Sequence, residues 1–314
     1  MAKSEDELIR EIRKIKKEKG ITLLAHYYQR PEVQDIADYV GDSLGLSQQA
    51  RDCKAEKIVF AGVHFMAQTA KIINPASKVI LPDLDAGCSL SDSCPPEQFR
   101  AFKEAHPDHV VVSYINCSAE IKAMSDIICT SANAEKVVRS IPAGKPILFA
   151  PDKNLGQYLI HKIGRDMLLW DGACLVHEAF AVDKLIKLHL QYPEAKIVVH
   201  PESPAHLLKV ANYIGSTTGM IKYVKESQSR QFIVATEVGI LHAMIKETSG
   251  KELIPAPIAE NNTCACSECS FMKLNTLDKI FHCMIHEHPE VNVEESLRVQ
   301  ALAPLLRMLE ISQN

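Results

Sequence analysis

Ten cysteines in a chain of 314 residues are the first feature with chemical potential. Cys88, Cys174 and the group Cys264, Cys266 and Cys269 stand apart, each behind a short apolar run in a loop rich in Gly, Ser, Asn or Asp. Thiolates bind zinc and iron–sulfur clusters. One thiolate from each place leaves a tetrahedral structural zinc a ligand short. The same three can hold a cubane cluster by three irons, with the fourth iron open as a Lewis acid. Taken alone, Cys264-x-Cys266-x-x-Cys269 reads equally as half a zinc site or a redox dithiol. Cys53, Cys129 and Cys283 lie in helix- or strand-like contexts, where a buried cysteine is a small hydrophobe. A disulfide scaffold is not expected in a chain this long without an export signal.

The elements that must position these thiols recur along the chain. Apolar runs at Ile21–Ala25, Val110–Tyr114 and Ile197–Val199 start 89 and 87 residues apart. Each leads through a short helical stretch to a strand and polar turn: Tyr39–Ser43, Ile127–Ser131 and Tyr213–Thr217. A helix follows each turn, then a third strand, at Lys57–Ala61, Pro146–Ala150 and Gln231–Ala235. A further helix and a fourth apolar run close each copy just before its cysteine region. Strands alternating with helices at this spacing predict parallel βαβ units. The expectation is an α/β protein of three similar three-layer αβα domains with parallel sheets, related by a pseudo-threefold axis. The predicted segments are 1–87, 88–174 and 175–289, with a C-terminal helical segment 290–314 that returns to the first repeat. Pro304 is expected to kink or divide that last helix. One continuous doubly wound sheet is the alternative.

In open α/β sheets, ligands bind outside the carboxyl ends of the strands. The first strands place His26, Tyr114 with Asn116, and His200 there; the second strands place Ser43, Ser131 and Thr217. Histidines bind carboxylates or shuttle protons. Hydroxyls between a strand end and a helix start bind phosphate or carboxylate, and can equally be plain N-caps. Glu202, two residues after His200, is the best carboxylate for acid–base work. If the copies meet on one axis, all these groups share a cavity.

Composition narrows the classes. With 35 Lys+Arg against 39 Asp+Glu the net charge is −4, and scattered charge offers no footprint for nucleic acid. The longest apolar runs, such as Ile58–Val63, are too short to span a membrane. The charged N-terminal stretch Ser4–Lys19 has no secretory apolar region behind it, so a soluble, cytoplasmic protein is expected.

Leu24-Ala-His-Tyr-Tyr28, Gly41-Asp-Ser43, Gly62-Val-His-Phe-Met66, Asp85-Ala-Gly-Cys88, Tyr114-Ile-Asn116, Cys129-Thr-Ser-Ala-Asn133, Cys174-Leu-Val-His177, His200-Pro-Glu202, Gly215-Ser-Thr-Thr-Gly219 and Cys269-x-x-Met-x-x-Asn275 occur in that order. Together they resemble the quinolinate synthase family of NAD biosynthesis, from about Leu23 to Leu277. The resemblance implies condensation of iminoaspartate with dihydroxyacetone phosphate to quinolinate, phosphate and water. It also implies a 4Fe–4S cluster with three cysteine ligands and one open iron, and a functional link to an aspartate oxidase or dehydrogenase. Position by position it implies Cys88, Cys174 and Cys269 as ligands, Tyr28 and Tyr114 near the reacting carbons, Asn116 orienting a carboxylate, and His177 in the active site. Cys266 and Cys269 resemble the redox-sensitive pair of some members. Repeat spacing favours Cys264 as the third ligand, whereas the family pattern favours Cys269. Cys94 has no assigned role, and Cys117 is expected to line the cavity without taking part. Two other readings stand beside this one: an iron–sulfur hydro-lyase, and a non-enzymatic redox or zinc-binding protein using the cysteines around position 266.

Overall fold

The computed structural model describes residues 3–259 and 267–313. Expectations that concern Cys264 and Cys266 fall outside that range. Three four-stranded parallel sheets form the frame. The first contains Ile21–His26 (β1), Tyr39–Gly41 (β2), Lys57–Ala61 (β3) and Lys78–Ile80 (β4). The second contains Val110–Tyr114 (β5), Ile127–Cys129 (β6), Ile147–Ala150 (β7) and Leu168–Leu169 (β8). The third contains Lys196–Val199 (β9), Tyr213–Ile214 (β10), Gln231–Ala235 (β11) and Glu252–Pro255 (β12). Their orders are β2-β1-β3-β4, β6-β5-β7-β8 and β10-β9-β11-β12, one pattern used three times. Three similar αβα units replace the alternative of a single continuous sheet.

The repetition extends to individual hydrogen bonds. Ahead of each second strand an acid or amide pins the first: Asp38 accepts from Leu23 N (2.7 Å), Asp126 from Val111 N (2.8 Å) and Asn212 from Ile197 N (2.8 Å). Each of those residues also donates its own N–H back to the same first-strand residue. This reciprocal clamp sets the register that puts Leu24 opposite Tyr39, Val112 opposite Ile127 and Val198 opposite Tyr213. Central strands buried on both faces need apolar residues at nearly every position, as Leu23-Leu24-Ala25 and Ile197-Val198-Val199 supply.

Helix Glu5–Lys19 illustrates how local signals build the outer layers. Ser4 and Glu7 form a capping box, acids fill the first turn, lysines the last, and Gly20 ends the helix at φ 61°. Its buried Leu8, Ile12 and Ile15 pack on β1 and β3 together with helix Leu277–His286. The chain therefore returns to the first unit through Leu277–His286, residues that the sequence segmentation grouped with the third repeat. The last helix, Glu295–Gln313, lies chiefly on the second unit, against helix Ala119–Met124 and β6, and also touches helix His64–Ile73 of the first. It runs through Pro304 undivided. Its buried Ala301, Leu305, Met308 and Leu309 belong to a core cluster shared by the first and second units. The third unit keeps two clusters of its own, one on each face of its sheet.

Candidate active site

The carboxyl ends of the three sheets face a common cavity of about 290 Å³. It is lined by His26, Tyr28 and Ser43 from the first unit, and by Cys88, Tyr114, Asn116, Ser131 and Cys174 from the second and its flanks. His177, His200, Glu202, Thr217 and Cys269 complete the residues singled out from sequence. Asp42, Glu237 and Glu268 also line it, and no Lys or Arg does among the described residues.

Two histidines repeat one device. The backbone N–H of Tyr28 donates to His26 Nδ1 (3.1 Å), and that of Glu202 to His200 Nδ1 (3.4 Å). Each ring is thereby turned by the chain two residues on, with its hydrogen left on Nε2. His200 Nε2 meets Ser131 Oγ at 3.2 Å, joining the third unit to the second. Burial lowers both histidines to about 3, His26 with further help from His200, and His200 against the pull of Glu202. They are neutral hydrogen-bond donors at pH 7, not the charged carboxylate anchors that the sequence also allowed.

Glu202 is the electrostatic centre. Burial alone would raise its carboxyl, but His177 beside it, His200 and the Tyr114 hydrogen bond hold it well below the usual range. Tyr114 Oη donates to Glu202 Oε1 at 2.5 Å, and His177 Nδ1 lies 3.1 Å from Oε2 without full hydrogen-bond alignment. Burial and the Glu202 charge push both Tyr28 and Tyr114 well above an ordinary phenol.

The helix starts differ from the sequence reading in one respect. The caps are Asp42 and Ser216, whose side chains accept from Gly45 N (2.8 Å) and Gly219 N (3.2 Å). Ser43 and Thr217 occupy the first helical positions, and Ser131 lies in the turn before helix Ala134–Ser140. Plain N-capping is therefore not their role. Asn116 Oδ1 is buried without a partner among the described residues, an orphan that a ligand could satisfy.

Cys88, Cys174 and Cys269 face the cavity from different segments, close enough that Cys269 acts on Cys88 and Cys88 on Cys174. Burial pushes Cys88 up to about 12 and raises the other two thiols as well. Buried thiolates among acids need a cation, so this donor set fits a soft metal or iron–sulfur group. Sulfur, nitrogen and oxygen of Cys174, His177 and Glu202 also lie within 4.8 Å of one another, a candidate metal-binding group. Cys117, by contrast, does not line the cavity: it is buried with Cys94, Phe99 and Ile121 in a separate apolar cluster. His64 opens helix His64–Ile73 outside the cavity lining.

Sequence reasoning missed the tips of the third strands. Beyond β7, Asp152 is fully buried, raised well above an ordinary carboxyl by burial and Glu202; its Oδ1 accepts from Leu155 N (2.7 Å) and its Oδ2 has no hydrogen-bond partner among the described residues. Beyond β11, Thr236 Oγ1 lies 2.7 Å from Tyr28 Oη and 2.9 Å from His177 Nε2. Next to it, the buried Glu237 pairs with Lys273 at 2.8 Å and accepts from Cys269 N at 3.2 Å. The repeat itself carried the signal, since the third strands end at equivalent positions.

Comparison with known proteins gives the family. Residues 10–310 match the family described as Quinolinate synthetase A protein. A quinolinate synthase of Trichodesmium erythraeum is 58% identical over 307 residues, 98% of this chain and 94% of that protein. One of Microcystis aeruginosa is 59% identical over 307 residues, 98% of this chain and 96% of that protein. With most of its length matched and its signature residues gathered at one cavity, the chain belongs to the quinolinate synthetase A protein family.

Proposed function

We propose that the chain condenses iminoaspartate with dihydroxyacetone phosphate to quinolinate, releasing one phosphate and two waters. The reaction balances without an oxidant or reductant, so acid–base groups and one electrophilic centre suffice. The observation that carries this reading is the convergence of three thiols with two tyrosines, three histidines and Glu202 on one cavity. Cys88, Cys174 and Cys269 would hold a 4Fe–4S cluster, which supplies a Lewis acid at its open iron when bound.

The remaining work falls to this chain's own groups. The substrates bring two carboxylates and a phosphate into a cavity whose described lining has no Lys or Arg. Ser43, Ser131 and Thr217, at or beside helix N-termini, hold those anions with hydroxyls and free N–H groups. His26 and His200 donate from Nε2, and Asn116 orients a carboxylate through its amide. Glu202, kept ionised, receives protons directly or through Tyr114, while Tyr28 serves the opposite side of the cavity. His177 steadies the Glu202 carboxylate. An aspartate-oxidising enzyme must supply the unstable imine.

Anaerobic turnover of the two substrates is the test. Quinolinate and phosphate appearing in equal amounts support the proposal, and phosphate release without quinolinate, or no turnover by iron-loaded protein, refutes it.

A further inference from the structure

We propose that Asp42 is a positioning residue that clasps the first unit to the third beside the cavity and holds Ser43 and Thr217 at one separation. Its Oδ1 accepts from Gly45 N (2.8 Å), capping its own helix Ser43–Asp52. Its Oδ2 accepts from Thr218 Oγ1 (2.7 Å), in the first turn of helix Thr217–Glu226. Asp42 thus stands between two helix starts whose first residues, Ser43 and Thr217, both line the cavity. Tyr27, packed on the third unit's core, pairs with Thr218 as well.

The repeat shows what the acid adds. The two helix starts are built alike: Tyr39 covers Gly41 and Gly45 as Tyr213 covers Gly215 and Gly219. At the place of Asp42 the third unit has Ser216, which caps Gly219 N (3.2 Å) with its one hydroxyl. The second unit has Thr130 there, whose Oγ1 accepts from Ala132 N (3.3 Å). A hydroxyl is therefore enough for a cap. An acid in the lining works against anionic substrates, so capping alone does not account for Asp42. A carboxylate has a second acceptor to spend on the other unit, and with both oxygens engaged its charge is offset by donors from two helix starts.

Two other ties cross the same seam, Gln34 to Gly239 O (2.9 Å) and Asp35 to His242 (2.6 Å). None of these four residues lines the cavity. They keep the units together when the clasp is lost, while the helix starts are freed to move apart. A substrate anion held by both starts must then draw them together first, which weakens its apparent affinity by the fraction of protein still closed. This kinetic consequence rests on the reaction proposed above; the clasp itself does not.

Thr218→Val keeps the shape and removes the hydroxyl, and Thr218→Ser restores it. Asp42→Ser keeps a cap, as Ser216 does, and removes the second oxygen. Thr218 is otherwise exposed, so the loss falls at the lower end for a hydrogen bond to a charged group. With anaerobic, iron-loaded protein, KM for dihydroxyacetone phosphate should rise roughly 10-fold in Thr218→Val and in Asp42→Ser, and no further in the double variant. In Thr218→Val, kcat should fall much less than KM rises, with iron content and melting temperature near wild type. Thr218→Ser should recover most of the loss. A wild-type KM in Thr218→Val, losses that add in the double variant, a Thr218→Ser equally impaired, or loss of iron or of thermal stability in Thr218→Val would each overturn the assignment. Hydrogen exchange of the full-length protein, read peptide by peptide, needs no turnover. Thr218→Val should exchange faster over residues 42–52 as well as over its own helix, 216–226. Unchanged exchange over 42–52 overturns the clasp even if quinolinate is made. Faster exchange in both helices, with no turnover by the wild type, supports the clasp and condemns the proposed reaction instead.

Discussion

Replacing Lys273 with Met tests how the Cys269 turn is seated. The Lys273 ammonium is nearly buried, with 7% of its side chain exposed, and its partner Glu237 has none. Nζ donates to Glu237 at 2.8 Å and to Tyr28 O at 2.6 Å, while Glu237 also receives Cys269 N (3.2 Å) and Gly239 N (2.7 Å). One ion pair thus fastens the turn carrying Cys269 to the first unit's Tyr28 and to the third unit's strand tip. Removing one partner of a buried pair costs about 3–5 kcal/mol. Burial already raises the Glu237 carboxyl against the pull of Lys273. Without Lys273 the buried carboxylate keeps only the Cys269 and Gly239 N–H donors, and these hold the loss to the lower end of that range. At about 2 °C per kcal/mol for a chain of this size, the melting temperature should fall by roughly 6 °C. Thermal melts at pH 7 with parallel iron assays measure it. Lys273→Met/Glu237→Gln, which leaves no buried charge, should lose less than Lys273→Met alone. If Lys273→Met melts with the wild type and keeps its iron, the pair does not seat the turn.

Cys88→Ser, Cys174→Ser and Cys269→Ser should each lose most bound iron and all synthase activity; a Cys88→Ser protein with full iron and turnover would remove the proposed cluster. Ser43→Ala, Ser131→Ala and Thr217→Ala should weaken binding of the phosphorylated substrate by roughly 10- to 150-fold, the equivalent of about 1.5–3 kcal/mol, with cluster absorbance intact. Unchanged affinity in all three would leave the hydroxyls without a role in anion binding. His26 and His200 are lowered to about 3 in the fold, chiefly by burial, from an ordinary 6.5. Their stabilising contribution is therefore present above about pH 6.5 and lost as pH falls towards 3. Urea midpoints between pH 7 and pH 4 should drop less steeply in His26→Asn/His200→Asn than in the wild type, and parallel slopes would contradict this.

The parts of the molecule that were legible in sequence are those written in local period and position. β3, β5, β11 and the helices His64–Ile73 and Ala119–Met124 begin and end where the apolar pattern does, because parallel strands buried on both faces tolerate few polar residues. Convergence of the strand-end residues followed from the repeat and from where open sheets bind ligands. Docking over long separations left no such mark. Nothing local to Leu277–His286 distinguishes a helix packing on β1 from one closing the third unit, and nothing near Lys273 announces Glu237. The N-cap alternative for Ser43 and Thr217 falls one residue late because Asp42 and Ser43, like Ser216 and Thr217, are adjacent residues able to cap, and only backbone geometry separates them. Cys117 was placed at the cavity by its nearness to Asn116 in sequence, yet its side chain points into the Cys94 cluster.

The unequal division of the apolar cores has a consequence for how the molecule comes apart. Stripping either the first or the second unit exposes the cluster they share with Glu295–Gln313, so these two and the last helix form one cooperative body. The third unit closes its own two clusters and meets the first through Tyr27 and Tyr28 at the edge of one of them and through polar pairs such as Asp35 with His242, Asp42 with Thr218 and Gln34 with Gly239 O. Partial opening therefore runs between the third unit and the rest, a plane that separates Tyr28 from Thr236 and Tyr114 from Glu202 while most strands stay protected from hydrogen exchange. The lining of the cavity is parted in one movement, well before the sheets that carry it.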